Sequence, residues 1–582
     1  MKKKTIGLMA LMLSTVVVLS TSCTSNGTGS ASSSSAASSS AADSTQAVKL
    51  TDSKVELIKA TDPGKSPDTA NKRTDTFVAT IHEPGGVFLP YFYDNGWDGN
   101  AVQPIFSSLV TVDDNGNPIP DLAEKWEISP DNLTYTYYLR PNLKFSDGSP
   151  LTAEDVAFTL TLLNDPAYAA GNVDFSNIVI KGTDEYKNGN ATSISGIKVI
   201  DPTTIQITTE KLNPLSLTTL GGSVISKAYY GNGYQKGKLD YLRDLYAKPM
   251  GDGPYQLDQY INGQEIRYNA NPNYYGGKPS IEHLIFKVTS TSTALQSFQT
   301  GQTDLDSFST DQDTLEQLKA LGFANIRIRT IPDFGIIYVN NKKPYLKDTA
   351  ARQALYYGLD RQKIIDVKYN GYGEVANVFA APTLWSYTEE GVTKYNYDPD
   401  KAKQLLEGLG WKAGSDGILQ KDGQKLKLSY LTTKPDDPII PIAKESYKAI
   451  GVDFVPEVLD ANTMFDRLNK GDYDLLSVRT NGLIDPNDPV YEFSSTDPNV
   501  NPSGYSNPTV TQLIKEGIST SDKTKRQTIY TKLYQELSKD PPVILIDYRK
   551  SISAWNDRII GGENYTTGAS DVAIQLAKLK IR

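Results

Sequence analysis

Leu426-Lys427-Leu428-Ser429-Tyr430-Leu431, Val452-Asp453-Phe454-Val455 and Tyr473-Asp474-Leu475-Leu476-Ser477-Val478 are three short, mostly apolar runs within one compact stretch of chain. Between the first two, Ala443, Tyr447 and Ile450 recur at helical spacing, and Gly451 closes the segment. Between the second and third, Phe465 and Leu468 mark a shorter helix ended by Gly471. Strand, helix, strand, helix, strand is the signature of an α/β unit. Each helix carries the chain back to the end of the sheet where it started, so the strands run parallel.

The same reading extends outward. Asp398 and Pro399 start a helix with Ala402, Leu405, Leu406 and Leu409 on its apolar face, ending near Gly410. A long helix from about Ser521 to Leu537 runs into Pro541 and Pro542, and Val543–Ile546 follows as an apolar strand. In the first half, Phe77–Ile81 and Thr134–Leu139 read as strands. Asp113-Asp114-Asn115-Gly116 reads as the turn of a hairpin, because Asn-Gly supplies the positive φ angles that a tight turn needs. Thr152 and Asp155 form a capping-box pattern ahead of Val156, Leu160 and Leu163.

At 582 residues, 38% apolar and 22% charged, the chain has the makeup of a soluble globular protein of roughly three domains. Mean hydropathy is −0.40. With 59 Lys+Arg against 68 Asp+Glu, the net charge of −9 argues against a nucleic-acid partner, whose phosphates need a basic footprint. The single cysteine excludes an internal disulfide or a Cys-based metal site. Two histidines, His82 and His283, leave no room for a multi-His metal centre, and no cofactor is expected.

Lys2, Lys3 and Lys4 precede an apolar stretch from Ile6 to Leu19, the layout of a secretory signal over residues 1–22. Ser20, Thr21 and Ser22 then lead into Cys23, a stretch that resembles a bacterial lipobox, although Ser20 stands where that motif usually has Leu. The resemblance implies a lipidated Cys23. Thr24 to about Ala47 is almost entirely Ser, Ala, Thr and Gly, and residues 23–74 are expected to form a flexible tether. A coil of about fifty residues reaches roughly 40 Å, enough to hold a globular body clear of a bilayer.

Catalytic signatures are missing. There is no Gly-x-Ser-x-Gly elbow, no His-Glu-x-x-His, no Walker loop and no Gly-x-Gly-x-x-Gly after a strand. A carboxylate pair like that of glycoside hydrolases stays open, since no particular pair stands out. A large exported α/β chain without these motifs is expected to bind rather than to turn over, so it is expected not to be an enzyme.

Three segments carry a resemblance. The first runs from Ile119, Pro120, Leu122, Ala123 and Trp126 through Leu139 and Arg140 to Phe145, Asp147, Gly148, Pro150, Leu151, Thr152, Ala153, Glu154, Asp155 and Val156. The second is Gly251-Asp252-Gly253-Pro254-Tyr255 with the Asn-Pro-Asn-Tyr-Tyr-Gly-Gly stretch Asn271–Gly277. The third is Asn340-Asn341, Arg352-Gln353-Ala354-Leu355 and Leu359-Asp360-Arg361. Together they resemble the solute-binding lipoproteins of peptide ABC transporters, the oligopeptide/dipeptide/nickel-binding family, over about Thr76 to Arg582. Asp252 departs from the family's usual Thr. Physically these motifs read mostly as marks of the fold: Asp147-Gly148 suits a turn, and Arg361 is placed to bridge to a carboxylate.

The resemblance implies a two-lobed periplasmic-binding-protein-like α/β fold (type II, cluster C) with an extra domain inserted in lobe one. By analogy lobe one holds 75–107, 214–330 and 546–582, the extra domain 108–213, and lobe two 331–545. It implies a ligand held between closing lobes. It also implies a monomer that works with the permease subunits of an ABC importer, anchored at Cys23 on the extracytoplasmic face of the cell membrane. In peptide-binding members an aspartate just after the Gly-x-Tyr-Asp strand holds the peptide's ammonium group. The matching stretch here is Leu483-Ile484-Asp485-Pro486-Asn487-Asp488-Pro489, which makes Asp485 the candidate. Pro486 replaces the family's aromatic, and the Trp before the aspartate is missing. Thr480, Asn481 and Gly482 are expected to offer main-chain groups to an extended ligand, with Asp333–Ile336 as the opposite edge. Arg479 is a candidate partner for a ligand carboxylate, and Tyr168 for the pocket wall. Rival readings are an oligosaccharide receptor of the same fold, a peptide sensor, and an exported carboxylate-pair glycosidase.

Overall fold

The computed structural model describes residues 48–49, 55–93, 95–113, 115–169, 178–480, 485–498, 500–566 and 569–582. The signal segment, Cys23, Asn481 and Gly482 lie outside the described residues.

Residues 426–478 supply three strands of a five-stranded sheet. Its order is Asp453–Val458, Lys427–Thr432, Leu475–Arg479, Gly335–Val339, Val543–Leu545. The first three strands are parallel, as the crossover pattern requires, and Gly335–Val339 runs antiparallel between Leu475–Arg479 and Val543–Leu545. The crossovers are the helices Ile439–Ala449 and Ala461–Lys470. Gly471 caps the second in the left-handed region at φ +68°, a conformation that a side chain would strain. Ile439, Ile442, Ala443 and Tyr447 bury the inner face of the first helix against the sheet. Ile439 and Ile442 each contribute about 1.5–3 kcal/mol on leaving water.

A second, larger sheet carries Thr76–Ile81 at its centre, parallel to His283–Val288 and to Leu305–Phe308. Beyond Leu305–Phe308 lie Asp547–Asn556, Ala324–Thr330 and Val55–Ile58, all joined antiparallel. Val55–Ile58 corrects the expected tether. Leu57 and Ile58 are buried, and the short helix Asp68–Asn71 follows with Ala70 buried, so 55–74 belongs to the folded lobe. Four residues of strand in a polar context leave little periodicity to read.

Two connections join the sheets. Ala324–Thr330 of the larger sheet leads within a few residues to Gly335–Val339 of the smaller, and Val543–Leu545 of the smaller leads directly into Asp547–Asn556 of the larger. Each sheet has its own core, one around Phe334, Tyr430, Tyr447 and Tyr534, the other around Phe77, Phe106, Tyr268 and Phe286.

A third unit has a four-stranded antiparallel sheet, Ala123–Ile128, Thr134–Leu139, Thr204–Thr208 and Ile197–Asp201, with the helix Ala153–Leu163. The capping box is present, since the Thr152 N–H donates to Asp155 Oδ2 at 2.8 Å. The Asp113–Gly116 hairpin forms too: Val110–Val112 pairs with Pro118–Pro120, and Asp113 Oδ1 accepts from the Asn115 and Asn117 N–H groups. This unit touches the smaller-sheet lobe at the start of helix Lys523–Lys539. There Ser521 Oγ donates to Asn132 Oδ1 at 2.7 Å, and Lys523 Nζ donates to Asn117 Oδ1.

Candidate functional site

In open α/β sheets the crevice lies outside the carboxyl ends of the strands, where loops are free to present side chains. In lobe one, Thr76–Ile81 ends at His82 and Glu83, both exposed. The His82 ring lies on Trp97, centroids 4.4 Å apart, and partial burial lowers its pKa. In lobe two, Lys427–Thr432 and Leu475–Arg479 end side by side. Their register pairs Tyr430 with Leu475 and Leu431 with Leu476, and Lys434, just past the first strand, lies near enough to Lys368 and Arg479 for their charges to add to burial in lowering its pKa. Gly335 opposes Arg479 across the next pair, and Ile336 opposes Leu545. These registers bring both interlobe connections to the same edge as Arg479.

A charged cluster fills that edge. Arg479 Nη1 donates to Asp333 Oδ1 at 3.1 Å on one connection. Its Nη2 reaches Asp547 Oδ1 on the other connection and the Tyr369 hydroxyl at 2.9 Å. Arg549 adds Nη2 to Asp333 Oδ2 at 2.6 Å, and Lys368 Nζ meets Asp547 Oδ2 at 3.1 Å. Both carboxylates are buried, and burial pushes the Arg479 guanidinium below its ordinary pKa against the pull of Asp333. Buried charges persist only when paired in this way.

The expected site residues fall unevenly on this geometry. Arg479 and Asp333 come together, but with each other. Asp333–Ile336 is not a free edge: Phe334 and Gly335 carbonyls already accept from Thr480 and Ile546 N–H groups, and Ile336 lies inside a strand flanked on both sides. Backbone groups satisfied within the sheet have nothing left for a ligand strand. Thr480 Oγ1 likewise accepts from the Phe334 N–H. Tyr168 packs edge-on against Phe92, 5.5 Å between centroids, and donates to the Tyr91 carbonyl.

Asp485 is buried in lobe two with both oxygens on Arg526, and its Oδ1 also accepts from the Asn487 N–H. Its charge is neutralised internally, so the expected ammonium anchor is a structural ion pair. Among the described residues Arg361 meets no carboxylate either. It is buried at the start of helix Arg361–Tyr369 and donates to the carbonyls of Ala376, Leu545 and Tyr395.

The sequence reading missed Lys368, Tyr369, Lys434, Asp547 and Arg549. One signal was available: Asp547, Arg549 and Lys550 put three charges into four residues at the start of a strand that leads on from the apolar Val543–Ile546, which is unusual unless the charges have partners.

Two α/β lobes joined by two short connections, with a charged edge where they meet, define a two-lobed binding protein. The profile of the bacterial extracellular solute-binding proteins, family 5, matches residues 117–501, and the chain belongs to that family. The oligopeptide-binding protein AppA of Bacillus subtilis is 27% identical over 512 residues, covering 85% of this chain and 90% of that one. Heme-binding protein A of Haemophilus influenzae is 31% identical over 380 residues, 62% of this chain and 67% of that one. Among solved structures, the ABC transporter substrate-binding protein CtaP of Listeria monocytogenes superposes with a TM-score of 0.73 at 25% identity, covering 87% of this chain and 99% of that one. Among the described residues no helix is long and apolar enough to cross a membrane.

Proposed function

We propose that the chain is an extracytoplasmic receptor that captures oligopeptides between its two lobes and delivers them to an ABC importer. It binds them without turnover. Lobe one is read as 75–107, 214–330 and 546–582 with 55–74 added, the extra domain as 108–213 and lobe two as 331–545. The observation that carries the reading is the likeness to an oligopeptide-binding relative along nearly the whole of both chains. The scarcity of histidine weighs against a metal or haem cargo, since imidazole is the usual ligand for both. Cys23, after a basic and apolar leader, is read as the lipid attachment point that holds a monomeric receptor at the membrane.

Native mass spectrometry of the purified full-length protein tests the cargo. A ladder of co-purified peptide masses is expected; a sugar, a haem or a nickel chelate would overturn the reading. For the anchor, Cys23→Ser should abolish incorporation of labelled fatty acid, and retained label would place the lipid elsewhere.

A further inference from the structure

Lobe one carries a cleft of about 360 Å³ away from the interlobe edge. One wall is Ile58 and Lys59, just at the end of the strand Val55–Ile58. The other is the second half of the helix Gln312–Ala320, with Glu316, Lys319 and Ala320, and Ala324 lies between them. Ile58 and Ala324 are buried, whereas Lys59, Glu316 and Ala320 are exposed. The strand Ala324–Thr330 enters an interlobe connection from its Thr330 end, so Ala324 marks the end of lobe one that is remote from lobe two. A cleft of this size takes a small molecule or a short peptide segment.

The course of the chain points to what covers it. Val48–Lys49 pairs antiparallel with Val55–Ile58, Val48 opposite Leu57. The chain that enters Val48 therefore arrives from the Ile58 end, where the cleft opens. Among the described residues no strand pairs with this side of the sheet beyond Leu57. Such an edge is a template for an extended segment. Charge points the same way. The Lys59 ammonium makes no hydrogen bond or ion pair among the described residues. Lys319 Nζ meets Glu316 Oε1 at 3.0 Å, and that oxygen also accepts from Gln312 Nε2. Two cations and one carboxylate leave the rim positive. The whole stretch Thr24–Ala47 holds a single charged residue, Asp43, which lies a few residues before Val48.

We propose that residues 43–47 of this chain dock in the cleft, extending the sheet of lobe one and setting Asp43 against Lys59 and Lys319. The bound segment takes main-chain hydrogen bonds from an open strand edge, and its one carboxylate balances the rim. The tether proper then runs only from Cys23 to about Ala42, and its reach falls to roughly 25 Å. It leaves lobe one at the end remote from lobe two, so the anchored lobe is held and the other is free to close. That consequence rests on the reading of Cys23 as the lipid attachment point; the docking itself does not.

Hydrogen exchange read by mass spectrometry on the purified full-length protein tests the docking. Amides of residues 44–47 should exchange about tenfold more slowly than in a synthetic peptide of residues 36–50, at every protein concentration. Ala320→Trp fills the cleft from an exposed helix position. It should return 44–47 to the rate of the peptide while Ala324–Thr330 keeps its protection. Asp43→Lys should speed exchange several-fold, and Asp43→Glu should not. Peptide-like exchange in the wild type overturns the proposal, as does slow exchange that Ala320→Trp leaves unaltered. Protection that appears only as concentration rises gives the cleft to a second copy and overturns it too. Fatty-acid labelling judges the anchor separately, since a chain without lipid can show the same protection.

Discussion

Arg526 holds both carboxylate oxygens of Asp485 at 2.7 Å, with neither side chain more than 7% exposed. The pair ties the loop after Leu475–Arg479 to the helix Lys523–Lys539, and Arg526 extends the tie by donating to the Gly517 carbonyl. Its geometry is the bidentate fork of guanidinium on carboxylate. An aspartate expected to wait for a ligand is therefore part of the architecture of lobe two.

Asp485→Ala should consequently cost stability first. Removing one partner leaves the Arg526 charge buried without compensation, an effect of about 3–5 kcal/mol. The double variant Asp485→Ala with Arg526→Met should lose less than the sum of the two single changes. Urea unfolding of the four proteins measures both. Wild-type stability in Asp485→Ala would show that the pair does no structural work.

Arg479 bridges the two interlobe connections through Asp333 and Asp547. Arg479→Met should destabilise the fold by about 3–5 kcal/mol at neutral pH, because two buried carboxylates lose a shared cation. Arg479→Lys should recover only part of this, since one ammonium cannot span the three acceptors that the planar fork reaches. Thermal melts of the three proteins at pH 7 give the order wild type, Lys, Met; an equal loss in Lys and Met would deny the bridging role.

Among the described residues the Glu492 carboxyl has only the Tyr338 hydroxyl, at 3.1 and 3.0 Å from its two oxygens, and burial pushes its pKa up from 4.5 to about 8. The folded pKa exceeds the unfolded one, so between these values the folded chain binds more protons. Stability from this group is then present below about pH 4.5 and falls as pH rises towards 8. Glu492→Gln keeps an acceptor for Tyr338 and cannot ionise. The variant should gain on the wild type across that window, by about 1–2 kcal/mol at the top of it. Solvent contact at the partly exposed Glu492 holds the gain well below the full shift. Denaturant midpoints at pH 5 and pH 8 should show the gap widening; a constant gap would refute the assignment.

Ser521 and Lys523 reach across to Asn132 and Asn117, so these contacts exist only while the third unit and lobe two are close. Ser521→Ala with Lys523→Ala should favour the open form, each exposed contact contributing less than about 1 kcal/mol. Distances between spin labels on the two lobes should lengthen in the ligand-free variant, with ligand affinity reduced a few-fold. Unchanged distances would show that the contact does not hold the lobes together.

Much of the frame was legible because its signals are local. The helix Pro399–Gly408 begins where Asp398 and Pro399 place it, with Asp398 accepting from the Lys401 N–H, and Thr134–Leu139 spans the expected residues. Caps, turns and apolar periodicity act within a few residues, so a single sequence displays them. Val55–Ile58 escaped because it is a short strand whose main partner, Ala324–Thr330, lies far along the chain.

The sequence by itself determined the parallel α/β unit of 426–478, the strand Thr134–Leu139 and the family, since each follows from short-range pattern or motif. It could not say which charge faces which. Arg479 and Asp333 are 146 residues apart and Arg479 and Asp547 are 68 apart, while Asp485 and Arg526 are separated by 41. Only strand register sets Asp333, Arg479 and Asp547 on one edge, and only packing of the helix Lys523–Lys539 brings Arg526 onto Asp485. A carboxylate's role depends on the countercharge that reaches it through space. Tertiary structure therefore decided that Asp485 is neutralised within lobe two, and that Arg479 spans both connections between the lobes.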